Sequence, residues 1–138
     1  MKHLFLPIKP KYAEKILNGT KTVEVRTKKP KLIMLKPVYV FLYSVSPICA
    51  VTGHAEIMLI DERSPASLWA WYNDEMKIER KEYVSYTREK LLATGIVLKN
   101  PKRIEPITIT ELKKFGIKNF QSFTYVDEKF LSLIKKEK

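Results

Sequence analysis

The sequence predicts an α+β fold, in which a small mixed, mostly antiparallel sheet curls into a β-barrel surrounded by short helices. Three observations lead there. Strand-like stretches occur at residues 3–8, 20–27, 38–45, 50–60, 92–99, 102–109 and 121–126. Helical patterns fall between only some of them, so most strands follow one another with few crossover helices, which favours antiparallel pairing. The chain has 138 residues, 45% of them hydrophobic, enough for one cored domain, expected to span residues 1–138. Closure into a barrel would remove exposed sheet edges.

The elements follow in order. "HLFLPI" opens as a strand. Pro10 suits a first helical turn, and Tyr12, Ala13, Ile16 and Leu17 form one apolar stripe. Asn18-Gly19 ends that helix, because glycine tolerates the left-handed conformation of a helix C-terminus. "TKTVEVRT" alternates as a strand. "VYVFLYSV" is apolar on both faces and reads as central, and "AVTGHAEIMLI" follows the Ser46-Pro47 turn. Gly53 within it marks a bulge or a close backbone approach. Ser64 caps a helix with Pro65 just inside it. "ERKEYVSYTREKL" is a second helical stretch. "LATGIVLK" and "KRIEPITI" read as two strands joined by a turn at Asn100-Pro101. Thr110 caps a short helix that Gly116 ends, "QSFTYV" is extended, and Asp127 caps a final helix with a Phe130, Leu131, Leu133 and Ile134 stripe.

Composition narrows the function. There is one cysteine, Cys49, so no internal disulfide forms, which fits a reducing, cytoplasmic setting. No apolar run reaches the roughly 20 residues of a membrane span, so no membrane association is expected. Four glycines and two histidines leave no room for a phosphate-cradling loop or a zinc finger; no cofactor and no metal are expected. His54 reads as a half-buried strand residue and Cys49 as a small packing residue. The chain carries a net charge of +11, and residues 1–31 hold nine lysines and arginines against Glu14 and Glu24, a net of +7. A field of that sign attracts polyanions.

The charges concentrate around "GTKTVEVR". By strand alternation Thr20, Thr22, Glu24 and Arg26 share one face, while Lys21, Val23 and Val25 share the other. The valines face the core, and Lys21 reaches a cleft only from the start of the strand. Taken alone, Glu24 and Arg26 are an ordinary surface ion pair of little energetic weight.

The longer stretch "IKPKYAEKILNGTKTVEVR" resembles the opening signature of ASCH domains, members of the PUA-like superfamily: a Lys/Pro start, an aromatic-led helix, then Gly19, Lys21, Glu24 and Arg26. "VYVFLYSVSPICAVTGHAEI" and "RIEPITITEL" with "FQSFTYV" are similar to later segments of the family. The resemblance implies a PUA-like barrel with a cleft beside the first helix and a role in RNA metabolism or transcription regulation. It implies site residues Lys9, Lys21, Thr22, Glu24 and Arg26, with Ser44, Ser46, Phe123 and Tyr125 further out.

Two other readings stand beside it. Some members are enzymes, and one type hydrolyses acetylated cytidine with a Lys, a Thr and a Glu; another is a ribonuclease. Lys21 matches that lysine, but Glu24 stands where the threonine would be and cannot act as its hydroxyl nucleophile. Glu75, Glu79 and Glu82 are all open as the family's glutamate. If the chain is an enzyme, Lys21 and Glu24 are its catalytic pair. The third reading is an interaction domain without cleft chemistry. The binding reading is preferred: RNA or a nucleotide-like ligand, with duplex DNA second, held by phosphate contacts, base stacking on Tyr12, Tyr43, Phe123 or Tyr125, an Arg26 fork and a Glu24 acceptor for a base amine.

Overall fold

The computed structural model describes residues 2–134. Six strands form one sheet in the order β2-β5-β4-β3-β1-β6. They are β1 (Lys2–Ile8), β2 (Val23–Arg26), β3 (Tyr39–Ser44), β4 (Ala50–Arg63), β5 (Ala93–Thr108) and β6 (Thr124–Asp127). Only β1 and β3 pair in parallel; the other ladders are antiparallel. The helices are α1 (Pro10–Leu17), α2 (Pro65–Met76), α3 (Arg80–Thr87) and α4 (Ile109–Phe115). A 3-10 helix over Glu128–Leu133 replaces the expected final helix, with Asp127 accepting from Lys129 N at 3.0 Å. None of the helices described is long and apolar enough to cross a membrane.

Alternation along β1 separates two cores. Leu4, Leu6 and Ile8 meet the Tyr12, Ala13, Ile16 and Leu17 stripe of α1, while Phe5 joins Phe41, Ile107, Leu112 and Phe130 on the opposite face. Each of the large α1 side chains contributes about 1.5–3 kcal/mol through its burial. A third cluster places Val23 and Val25 beneath Leu68, Met76 and Tyr83 of α2 and α3. Trp69 packs on Tyr83 at 4.9 Å, whereas Trp71 is 62% exposed under the Arg63 guanidinium.

Three further expectations change. The sheet is not closed: no ladder joins β2 to β6 among the described residues, so two edges remain. The ends of β1 and β2 still approach, because Arg26 Nη2 donates to the Pro7 carbonyl at 2.8 Å. Side chains, not backbone pairing, bridge the gap there. Second, residues 92–109 are not two strands around a turn. Asn100, at φ 51°, lies within the single strand β5, where the β4–β5 register shifts as a bulge. Asparagine accepts that backbone without strain and proline is tolerated beside an irregularity. Third, α4 is capped by Thr108, which accepts from Glu111 N at 3.3 Å, and not by Thr110. Gly53 is the close approach expected: a Cβ there would stand 2.5 Å from the Lys102 carbonyl oxygen and 2.4 Å from Leu17 Cδ2.

Candidate functional site

A cavity of about 460 Å³ opens between the end of β1, α1, β2 and α3. Its polar lining is Lys9, Lys21, Glu24, Arg26, Glu82 and Gln121; its apolar walls include Pro7, Ile8, Val25, Ile78 and the rings of Tyr12, Tyr86 and Phe120. It lies at the gap left by the open sheet.

The floor is a buried charge cluster. Glu24 Oε2 accepts from Arg26 Nε at 2.9 Å and from Arg26 Nη2 at 2.8 Å, and Glu24 Oε1 stands 3.3 Å from Lys21 Nζ. Lys21 is 3% exposed and Glu24 6%. The Lys21 ammonium also donates to the Met76 carbonyl at the end of α2 and lies 5.0 Å from the centre of the Tyr12 ring. Burial pushes the Lys21 pKa below the usual lysine range, against the opposing pull of Glu24. These residues are therefore not a surface ion pair. They tie β2 to α1, β1 and α2 inside a medium where an unpaired charge is costly.

The rim is wetter. Tyr12 Oη donates to Glu82 Oε1 at 2.8 Å, and Lys9 Nζ and Lys11 Nζ approach the same carboxylate at 3.7 and 3.8 Å. The tyrosine hydrogen bond, then the two lysines, hold the Glu82 pKa below the usual carboxylate range. Burial, with Glu82 beside it, raises that of Tyr12. Glu82 is thus an ionised acceptor facing the cavity.

The expected site residues divide. Lys9, Lys21, Glu24 and Arg26 line the same cleft, with Lys21 entering from before the strand. Thr22 does not join them: β2 begins at Val23, and Thr22 lines a separate small cavity with Leu98 and Lys99. Ser44 faces a third cavity and pairs with Thr52 at 2.9 Å. Ser46 sits exposed in the turn at 45–48, and its neighbour Val45 lines the cleft instead. Phe123 and Tyr125 lie outside the cleft, with Phe120 and Gln121 of the same segment lining it. The Arg26 fork is already engaged by Glu24 and Pro7, so it is a clamp and not an open phosphate fork. Of the three glutamates left open, Glu82 lines the cleft, Glu75 lends its carbonyl to Thr22 N, and Glu79 precedes α3. Tyr86, Phe120 and Gln121 carried no sequence signal beyond an aromatic or a polar residue in a loop or on a helix. Among the described residues no group of three His, Cys, Asp or Glu could hold a metal ion.

The open six-stranded sheet with this cleft beside its first helix is similar to the fold of ASCH domain proteins. The chain matches the crystal structure of ASCH from Zymomonas mobilis with a TM-score of 0.86 at 25% identity, over 95% of this chain and 92% of that one. A tyrosine-to-phenylalanine mutant of the same protein gives a TM-score of 0.88 at 26% identity, over 98% and 100% of the two chains. A curated Zymomonas mobilis relative named "ASCH domain-containing ribonuclease" is 28% identical over 120 residues, 87% of this chain and 79% of its own length. Residues 1–130 match the family model described as Domain of unknown function (DUF365), and the chain belongs to that family.

Proposed function

We propose that this chain is an RNA-directed ASCH module whose cleft seats one unpaired nucleotide. The observation that carries the reading is the cleft's division of labour: a buried, mutually satisfied Lys21–Glu24–Arg26 floor beneath an accessible rim of Lys9, Glu82, Tyr86, Phe120 and Gln121. A floor of that kind fixes the shape of the pocket without answering for the ligand. The rim supplies what an unpaired nucleotide asks for: aromatic faces for the base, a lysine for the phosphate, and amide and carboxylate groups for the base edge. The volume falls within the range of small-ligand pockets. The +11 charge supplies long-range attraction to RNA.

A cleaving activity is the second reading, favoured by the geometry at Glu82 and by the name of the curated relative. An ionised carboxylate flanked by Lys9 and Lys11 can take the proton from a ribose 2′-hydroxyl as that oxygen attacks the adjacent phosphate; the P–O5′ bond breaks, a 2′,3′-cyclic phosphate is left, and the departing 5′-oxygen takes a proton from solvent water. The lysines then balance the charge gathering on the phosphate oxygens. Lys21 and Glu24 position this rim from below.

The test is titration of labelled single-stranded RNA at low and raised salt, with Phe120→Ala and Lys9→Gln alongside wild type. Binding that weakens with salt and with both substitutions is expected; no RNA binding at low salt rejects the proposal. Analysis of the same RNA for 2′,3′-cyclic phosphate ends, with Glu82→Gln as the control, decides the cleaving reading.

A further inference from the structure

The cleft is one end of a longer feature. Residues 26–31 leave it along the open side of the sheet. Arg26 is clamped inside the cleft, Thr27 N donates to Tyr86 Oη on its rim at 3.3 Å, Lys28 Nζ lies 5.8 Å over the Phe123 ring, and Lys31 N donates to Tyr125 Oη at 2.8 Å. Residues 120–125 pack against this segment, with the Phe123 and Tyr125 rings half-buried against the core beneath α1. Phe120 and Gln121 line the cleft; Phe123 and Tyr125 follow, their rings edge-to-face at 6.0 Å, with Lys2 Nζ 5.3 Å over Tyr125. Beyond lies a groove of about 910 Å³ whose lining includes Lys2, Lys29, Lys31 and Lys36 and no carboxylate.

We infer that the surface of this strip, where residues 26–31 touch residues 120–125, is a single-strand RNA track continuing from the cleft, with Phe123 and Tyr125 as stacking platforms and Lys2, Lys28 and Lys31 as phosphate contacts. The inference rests on the proposed RNA reading of the cleft and adds the course of the strand. The five steps from Arg26 to Lys31, which include a bend at residues 27–28, span at most about 17 Å, room for a few nucleotides of single strand. In the free protein each ring carries an ammonium over its face. A base arriving there takes that face, and the released ammonium turns to the neighbouring phosphate. Exposed Ile33 and Leu35 beside lysines would also suit an anionic membrane. The paired rings and their continuity with the cleft favour RNA, since lipid headgroups do not need stacking faces.

Oligocytidylates of one, three and six nucleotides and anionic phosphatidylserine vesicles are titrated with wild type, Lys28→Gln/Lys31→Gln, Phe123→Leu and the cleft variant Phe120→Ala. The hexamer should bind at least tenfold tighter than the mononucleotide. The double lysine variant should remove most of that gain, leave the mononucleotide unchanged, and lower the salt slope for the hexamer by about 1.4, at about 0.7 per phosphate contact. Phe123→Leu should weaken the hexamer by about tenfold, as loss of one stacked base does. Three results overturn the track alone: Phe120-dependent binding without a gain in length, equal losses on mononucleotide and hexamer in the lysine variant, or losses confined to vesicles. Failure of every RNA to bind overturns the track and the cleft reading together.

Discussion

Lys21 and Glu24, three residues apart where a turn becomes a strand, face each other at 3.3 Å with both side chains buried. Arg26 holds the other oxygen of the same carboxylate. One anion thus answers two cations, and the three substitutions are not equivalent. Glu24→Gln leaves two like charges with carbonyl acceptors but no counter-charge, which should cost about 3–5 kcal/mol. Lys21→Met keeps the Glu24 Oε2–Arg26 pair but strands the Met76 carbonyl and Glu24 Oε1, a loss of about 1–3 kcal/mol. Urea unfolding of the two variants should place Glu24→Gln clearly below Lys21→Met; the reverse order would mean that the cluster is not the keystone of the cleft floor.

The same lysine should write itself into the pH dependence of stability. Its folded pKa lies below the ordinary 10.5, chiefly through burial. Between that folded value and 10.5 the unfolded chain binds the extra proton, so stability rises with pH across that window. Below the folded value both states are protonated and the penalty is constant. Tyr12, Tyr43, Tyr72 and Tyr83, all raised by burial or by a carboxylate partner, act with the opposite sign above pH 10. Comparing wild type with Lys21→Met removes most of that background. Wild type should gain on Lys21→Met as the pH climbs through the window below 10.5; parallel curves would contradict the buried, charged lysine.

Gly53 offers a test of the sheet beneath α1. An alanine methyl would overlap the Lys102 carbonyl oxygen, which the β4–β5 ladder fixes, as well as the movable Leu17 side chain. Leucine can rotate aside but backbone cannot, so overpacking of about 1–3 kcal/mol or more is expected for Gly53→Ala. Gly95→Ala, whose Cβ would meet only side chains inside 3.4 Å, should cost less. Thermal unfolding of the two variants ranks them, and equal values would remove the argument.

Much of this was legible where local chemistry decides. Pro10, the Tyr12–Leu17 stripe and Asn18-Gly19 place α1 within its observed bounds, because a cap, a stripe and a stop signal agree. Asn100-Pro101 misled because the pair favours a turn in isolation, whereas the long partner strand β4 turns it into a bulge. Lys21, Glu24 and Arg26 could be selected as a group, yet their burial depends on α2 and α3 folding over β2 from residues 65–87, which no local pattern announces. Phe123 stood out over Phe120 through family resemblance, but the chain enters β6 only at Thr124, which leaves Phe120 at the cleft and carries Phe123 past it. Parity put Thr22 on the ligand face because it assumed that the strand began three residues early.

That displacement moves one role from Glu24 to Glu82. Glu24 was the expected acceptor for a base amine, but Arg26 and Lys21 occupy its oxygens. Glu82 sits at the cavity rim with Oε1 taken by Tyr12 and Oε2 facing Lys9 at 3.7 Å, a distance a ligand donor can enter. Its depressed pKa keeps it ionised at neutral pH, so it accepts and does not donate. A cytosine, adenine or guanine amine satisfies it, whereas the carbonyl edge of uracil meets like charge. Cytidine monophosphate should therefore bind more tightly than uridine monophosphate, by roughly tenfold for about 1.4 kcal/mol of discrimination. Glu82→Gln, whose amide both donates and accepts, should bring the two affinities together mainly by improving uridine binding. Calorimetric titration of both nucleotides against both proteins is the measurement. A preference for uridine in wild type, or a cytidine preference that survives the substitution, would show that Glu82 does not read the base.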